Sequence, residues 1–210
     1  MRALSGSSGE LLRLGMRRAV AAVLFFVALG GPLAACGLET SRQYVTSDDG
    51  TMSLALPNEY TVLAFDAWQS GWMMGADADA EATFDHAGRF GVEQPFVMMS
   101  STALSAEARD RVSLQTLRES ATFDGTDPSR DDGAHRLTLY ERYLDDRGYE
   151  GQVIRFDTVV DGRSSTTVLA AFLSPDRSAV YSVNVSCSTQ CYLRSADEID
   201  AIVDSIELTP

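Results

Sequence analysis

Six consecutive apolar residues, Val168-Leu169-Ala170-Ala171-Phe172-Leu173, constrain this chain more than any other stretch. They lie between Thr166-Thr167 and the turn signal Ser174-Pro175-Asp176, and as a strand they present apolar side chains to both faces. A strand of that kind belongs in the middle of a sheet covered above and below. The fold must therefore supply two covering layers.

Segments able to complete such a sheet lie on either side. QYVTSDDGTMSLALP reads as a hairpin around Asp48-Asp49-Gly50, with the glycine supplying positive φ and Leu54 and Leu56 sharing a face before Pro57. GWMMGAD, PFVMMSS, HRLTLYERYL, EGQVIRFDTVV and AVYSVNV read as further strands, the later ones set off by turns at Asp145-Asp146-Arg147-Gly148 and Asp161-Gly162. Two helices can cover the sheet. The first runs through AEARDRVSLQTLRESA from an N-cap at Ser105, with Ala108, Val112, Leu117 and Ala121 on one face. The second starts from a capping box, Ser195 with Glu198, and carries Ile199, Ile202, Val203 and Ile206 at helical spacing. Strands, a helix, more strands and a final helix predict one α+β domain with a mainly antiparallel, twisted sheet covered by helices. About 170 residues follow the N-terminal segment, enough for one such domain and few for two.

The order of elements resembles the PsbP-like fold, an α/β/α sandwich. That family includes extrinsic photosystem subunits of the PsbP type, Ran-binding Mog proteins and LpqN-type bacterial lipoproteins. Gly50, Leu54 to Pro57, Tyr181 to Val185, and the run Ile202-Val203-Asp204-Ser205-Ile206-Glu207-Leu208 carry the resemblance, which covers about Gln43 to Leu208. Two departures stand out: Asn58-Glu59-Tyr60 replaces the Gly-Trp frequent after the proline, and the pair Cys187/Cys191 is outside the general pattern. The resemblance implies a non-enzymatic binding subunit or adaptor and transfers no site residue, because partners differ among members.

The N-terminus suggests how such a module is held. Met16-Arg17-Arg18 is a short basic region, Ala19 to Leu29 is apolar, and Gly30-Gly31-Pro32 interrupts the run before it could span a membrane. Leu33-Ala34-Ala35-Cys36 resembles the lipobox of bacterial lipoproteins. There the cysteine becomes a diacylglyceryl thioether and, after cleavage, the new N-terminus. An ordinary secretory peptide or an uncleaved anchor is the alternative. The expected organisation is a signal peptide over 1–35 (with Met16 as a possible true start), a lipidated Cys36 and short tether over 36–42, and the globular domain over 43–210. Two acyl chains hold a protein stably where one is marginal. Gly37 to Arg42 reach at most about 20 Å, so the domain should sit close above the bilayer, its least acidic face inward.

Cys187 and Cys191 then remain as a pair in an oxidising compartment, spaced to bridge within a turn. A structural disulfide is the expectation. A redox pair or a metal site are the alternatives, and neither the usual C-x-x-C spacing nor further ligands are present.

Charge excludes several roles. All 17 basic residues are arginine, which rules out lysine Schiff bases and P-loop lysines. Beyond Cys36 stand 13 arginines against 29 carboxylates, a balance of −16, unsuited to nucleic acid or to charge-driven adhesion to anionic lipid. No cofactor or metal motif occurs. Asp77, Asp79 and Glu81 begin like a calcium loop, but Ala82 and Gly88 occupy the positions that need glycine and a bidentate acid. DGTDPSRDD reads as a solvated loop, with a loose calcium site as the alternative.

Only His86 and His135 could act as general bases. They read as a turn residue and a strand-start residue, and no G-x-S-x-G elbow is present. Trp68, Trp72 and Met74 would share one strand face in WQSGWMM, either as core or as an apolar groove for a lipid-like or peptide ligand. The expected function is a membrane-anchored, extracytoplasmic, non-catalytic module that binds a partner protein or an apolar ligand. An envelope hydrolase built around His135 or His86 is the alternative.

Overall fold

The computed structural model describes residues 41–67, 71–78, 92–122 and 125–209. The chain opens with the expected hairpin of β1 (Arg42–Thr46) and β2 (Met52–Pro57), paired antiparallel. Its turn is built locally: Asp49 accepts from the Ser47 hydroxyl at 2.6 Å and the Thr51 N–H at 3.0 Å, and Gly50 takes φ +73°.

Seven strands follow: β3 (Thr61–Ala67), β4 (Gly71–Asp77), β5 (Phe96–Ala103), β6 (His135–Leu144), β7 (Glu150–Val160), β8 (Arg163–Leu173) and β9 (Ala179–Ser188). They form one antiparallel sheet in the order β3-β4-β5-β9-β8-β7-β6. β8, which contains the six-residue apolar run, lies inside this sheet and is buried on both faces, as that run requires. Between β5 and β6 the chain makes α1 (Ala106–Arg111), α2 (Leu114–Glu119) and a 3-10 turn at Pro128–Arg130. After β9 come α3 (Thr189–Val203) and β10 (Glu207–Leu208), which pairs with β2 to complete a three-stranded sheet.

One face of the large sheet packs against α3 and the small sheet. Met74, Val97, Met99, Ala170, Val183 and Val185 meet Leu54, Leu56, Ile199 and Ile202 there in a dry core. Gly151 is required on this side. A Cβ at that position would lie 2.4 Å from the Phe172 ring, which is held edge-on by Tyr143. The opposite face carries Ile154, Phe156, Leu169, Ala171 and Leu173 and is covered by Leu117 of α2 with Val112 and Leu114 beside it.

Three local readings change. TVLAFDA forms β3, an edge strand of the large sheet that the pattern did not single out. The helix expected through AEARDRVSLQTLRESA is broken, because Val112 is extended and Ser113 starts a new helix with a capping box to Thr116. The last helix begins about two turns earlier than its capping box suggested. Ser188 is its N-cap, accepting from the Cys191 N–H at 3.1 Å, and Ser195 marks a kink at φ −114°, ψ 17° rather than the start. Among the described residues no helix is long and apolar enough to cross a membrane.

Candidate functional site

The two cysteines near the start of α3 are joined. Cys187 ends the buried face of β9 and Cys191 lies in the first turn of α3, with Cα atoms 5.9 Å apart and both residues 1% exposed. The bridge thus pins α3 to the sheet. No third ligand is needed to account for the pair, and among the described residues no group of three or more His, Cys, Asp or Glu side chains could hold a metal.

A cavity of about 370 Å³ opens where β6, β7 and β8 meet the N-terminus of α3, lined by His135, Arg136, Asp157, Val159, Ser164 and Thr189. Its charges are used internally. Asp157 accepts from Arg136 at 2.9 Å and from the Thr166 hydroxyl at 2.8 Å, and Thr166 also reaches Thr189 at 3.2 Å. His135 Nδ1 stands 3.4 Å from Asp132, whose carboxylate accepts from the N–H groups of His135 and Ala134. Those backbone bonds, His135 first, hold the Asp132 carboxyl below its ordinary value. The acid beside His135 therefore builds the turn into β6, and the histidine is only 6% exposed, which gives a substrate little access to a general base. His86, Asp79, Glu81 and Trp68 lie outside the described residues.

Of the residues expected to share a face in WQSGWMM, Trp72 and Met74 lie on β4, which begins at Gly71. Met74 is fully buried, and Trp72 is half-buried against the same core. Trp72 thus packs against the core while keeping part of its side chain exposed. Asp77 is the last residue of β4 and is buried.

DGTDPSRDD is also more than a solvated loop. Asp127 is 5% exposed and accepts from both Nε and Nη2 of Arg118, while Arg118 Nη1 donates to Gln152 and its guanidinium lies 5.4 Å from the Tyr140 ring. Burial pushes the Asp127 carboxyl up, but the Arg118 hydrogen bonds and the Ser129 N–H outweigh it and bring it down to about 2. The Asp-Pro pair was the legible signal, since Asp127 caps the 3-10 turn that Pro128 begins.

A polar stripe on the face of the sheet that α2 covers was not anticipated. Ser182, Asn184 and Ser186 alternate along β9 with buried Tyr181, Val183 and Val185, and Ser182 bonds Ser100 of β5 at 2.8 Å. Asn184 Oδ1 is buried there without a hydrogen-bond partner. The period-2 alternation in AVYSVNVS contains this signal.

Where the chain joins the domain, Ser41 is bonded to Asn58 and Arg42 to the Ala201 carbonyl. The exposed acids Glu59, Asp200 and Asp204 belong to the same neighbourhood.

No protein-family model matches the sequence, and no curated protein matches it. Solved structures do. The solution structure of cyanobacterial PsbP (CyanoP) from Synechocystis sp. PCC 6803 matches with a TM-score of 0.51 at 13% identity, covering 85% of this chain and 100% of that one. LpqN of Mycobacterium tuberculosis, described as involved in cell envelope biogenesis, gives 0.47 at 14% identity, covering 81% and 91%. The Ran-binding protein Mog1p of Saccharomyces cerevisiae gives 0.42 at 9% identity, covering 80% and 96%. The match to CyanoP establishes a PsbP-like α+β fold.

Proposed function

We propose that this chain is a lipoprotein held through Cys36 on the extracytoplasmic face of the cell membrane, where its PsbP-like domain binds a partner protein or an apolar ligand without catalysing a reaction. The observation that carries the anchor is Leu33-Ala34-Ala35-Cys36 after a basic and an apolar segment, followed within six residues by the first strand of a folded domain. The buried Cys187–Cys191 bridge supports an oxidising compartment. The binding role is supported by the fold and by the chemistry of the recesses: charges around the His135 cavity are occupied in holding turns and strands together, which leaves surfaces suited to contact.

Growth with a tagged fatty acid, followed by fractionation, tests the anchor. The wild-type protein should carry the label and sediment with membranes, and Cys36→Ser should lose both. Label retained by Cys36→Ser, or an unlabelled wild-type protein, would overturn it. For the binding role, a defined partner must be captured by crosslinking in intact cells through the folded domain.

A further inference from the structure

Among the described residues α3 packs on β8, β9 and β2, and the β6–β7 flank of the same sheet face lies beside it. Arg155 of β7 stands at the foot of that step. Its Nη1 donates to the Tyr192 hydroxyl at 2.5 Å, its Nε donates to Thr138 Oγ1 at 3.1 Å, and the guanidinium lies 5.3 Å from the Tyr192 ring. The group is thus fixed by one tyrosine and one threonine. Among the described residues Arg155 is the one partly buried arginine with no carboxylate within ion-pair distance. This is unexpected in a domain where acids outnumber arginines more than twofold. Neighbouring Arg136 and Arg194 are paired, with Asp157 and Glu93.

Apolar side chains flank this cation. Leu139 sits directly across from Arg155 on β6 and is half-buried. Val159, 46% exposed, stands four residues along the same face of β7, beyond Asp157, whose carboxylate is taken by Arg136 and Thr166. Leu193 is 67% exposed and follows Thr189, which lines the cavity together with Val159, by one helical turn. A half-desolvated guanidinium with a free N–H edge, set among exposed aliphatic side chains, complements a carboxylate flanked by apolar residues.

We infer that the ledge formed by Arg155, Leu139, Val159 and Leu193 is the docking surface for an acidic, apolar segment of a partner protein. One carboxylate of that segment takes the free edge of Arg155, and its apolar neighbours cover Leu193 and Val159. The inference rests on the binding role proposed above and names the surface and chemistry it uses. The net charge of the domain repels an acidic chain, screening at physiological salt confines that repulsion to about 8 Å, and within that range Arg155 and the apolar burial must outweigh it.

The test uses the full-length protein in neutral detergent and two labelled synthetic peptides, one alternating Leu and Glu and one alternating Leu and Lys, with binding read by fluorescence anisotropy. The Glu peptide should bind saturably and the Lys peptide should not. Arg155→Gln should weaken binding roughly tenfold, the effect of losing one charge-assisted hydrogen bond, and should lessen its salt dependence. Leu193→Ser, on an exposed position that folding does not need, should weaken it severalfold. The inference is overturned if the Glu peptide fails to bind, if both peptides bind alike, or if Arg155→Gln and Leu193→Ser bind as wild type. It is equally overturned if sedimentation shows the ledge closed by a second copy of the chain. Failure here with Cys36 lipidated leaves the anchored module standing; peptide binding by a protein that lacks the lipid does the reverse.

Discussion

The two faces of the seven-stranded sheet are stabilised in different ways. Beneath α3 and the small sheet, burial is almost entirely apolar: Leu54, Leu56, Met74, Met99, Ala170 and Val183 are fully buried. Two of the hydroxyls that enter this layer face carboxylates at its margins, Tyr60 donating to Glu198 at 2.7 Å and Tyr181 to Asp49 at 2.9 Å. Burial raises both phenols, Tyr181 to about 12, so they stay protonated donors at any physiological pH. On the other face a smaller apolar cluster shares its space with Gln152, fully buried, and with the Arg118–Asp127 pair. The first face resists loss of volume. The second depends on a few polar side chains with no replacement nearby.

That contrast can be broken most forcefully on the apolar face. Phe172→Ala empties the space beside Gly151 and Tyr143 and should cost about 3–5 kcal/mol in urea unfolding, with an unchanged slope. Arg118→Ala should cost nearly as much, about 3 kcal/mol, because it leaves Asp127 buried without its partner. Replacing both, as Arg118→Leu with Asp127→Ala, should recover much of that loss. A double variant no better than Arg118→Ala would mean that Arg118 acts through packing on Tyr140 instead.

The same pair sets an acid dependence. Asp127 titrates lower in the folded protein than in the unfolded chain, so its stabilisation is complete above the unfolded value near 3.8 and disappears as pH falls through about 2. Wild-type stability should drop through that window more steeply than that of the double variant, which lacks both charges. Equal slopes would remove the pair from the account of acid unfolding.

Smaller effects sharpen the comparison. Replacing Cys187 and Cys191 together by alanine should cost about 2 kcal/mol, the value for so short a loop, and should loosen the first turn of α3 in hydrogen exchange before the rest of the sheet. Leu193→Ser should change stability by no more than about 0.5 kcal/mol. A larger loss would place Leu193 in the core, against its exposure.

Much of the architecture could be read from local pattern. The apolar run in β8 required a doubly covered sheet, Asp48-Asp49-Gly50 marked the first hairpin, and Ile199 with Ile202 marked the buried face of α3. What escaped depended on competition between local signals. Ser113 is a better helix start than Val112 is a helix interior, so one expected helix became two. Ser188 outcompetes Ser195 as a cap because the disulfide and the end of β9 fix its position. TVLAFDA alternates weakly and becomes a strand through its pairing with β4, a long-range fact.

The site was less legible than the fold. The lipobox-like run Leu33 to Cys36, the cysteine pair and the histidines are visible as residue types, and Cys187–Cys191 pairs as its spacing suggested. The tryptophans drew attention for their size, either as core or as a groove, and Trp72 packs partly buried against the core. Arg155 offered nothing to notice in sequence. Its significance is that no carboxylate of the described residues lies within ion-pair distance of it, which depends on strands and a helix far apart in the chain.

Under the proposed anchoring, Cys36 determines where all of this takes place, and the intact mass of the protein extracted from membranes tests it most directly. The account predicts a polypeptide that begins at residue 36, heavier than its sequence by a diacylglyceryl group. A mass matching an unmodified sulfhydryl at that position, or one that still includes residues 1–35, would contradict it.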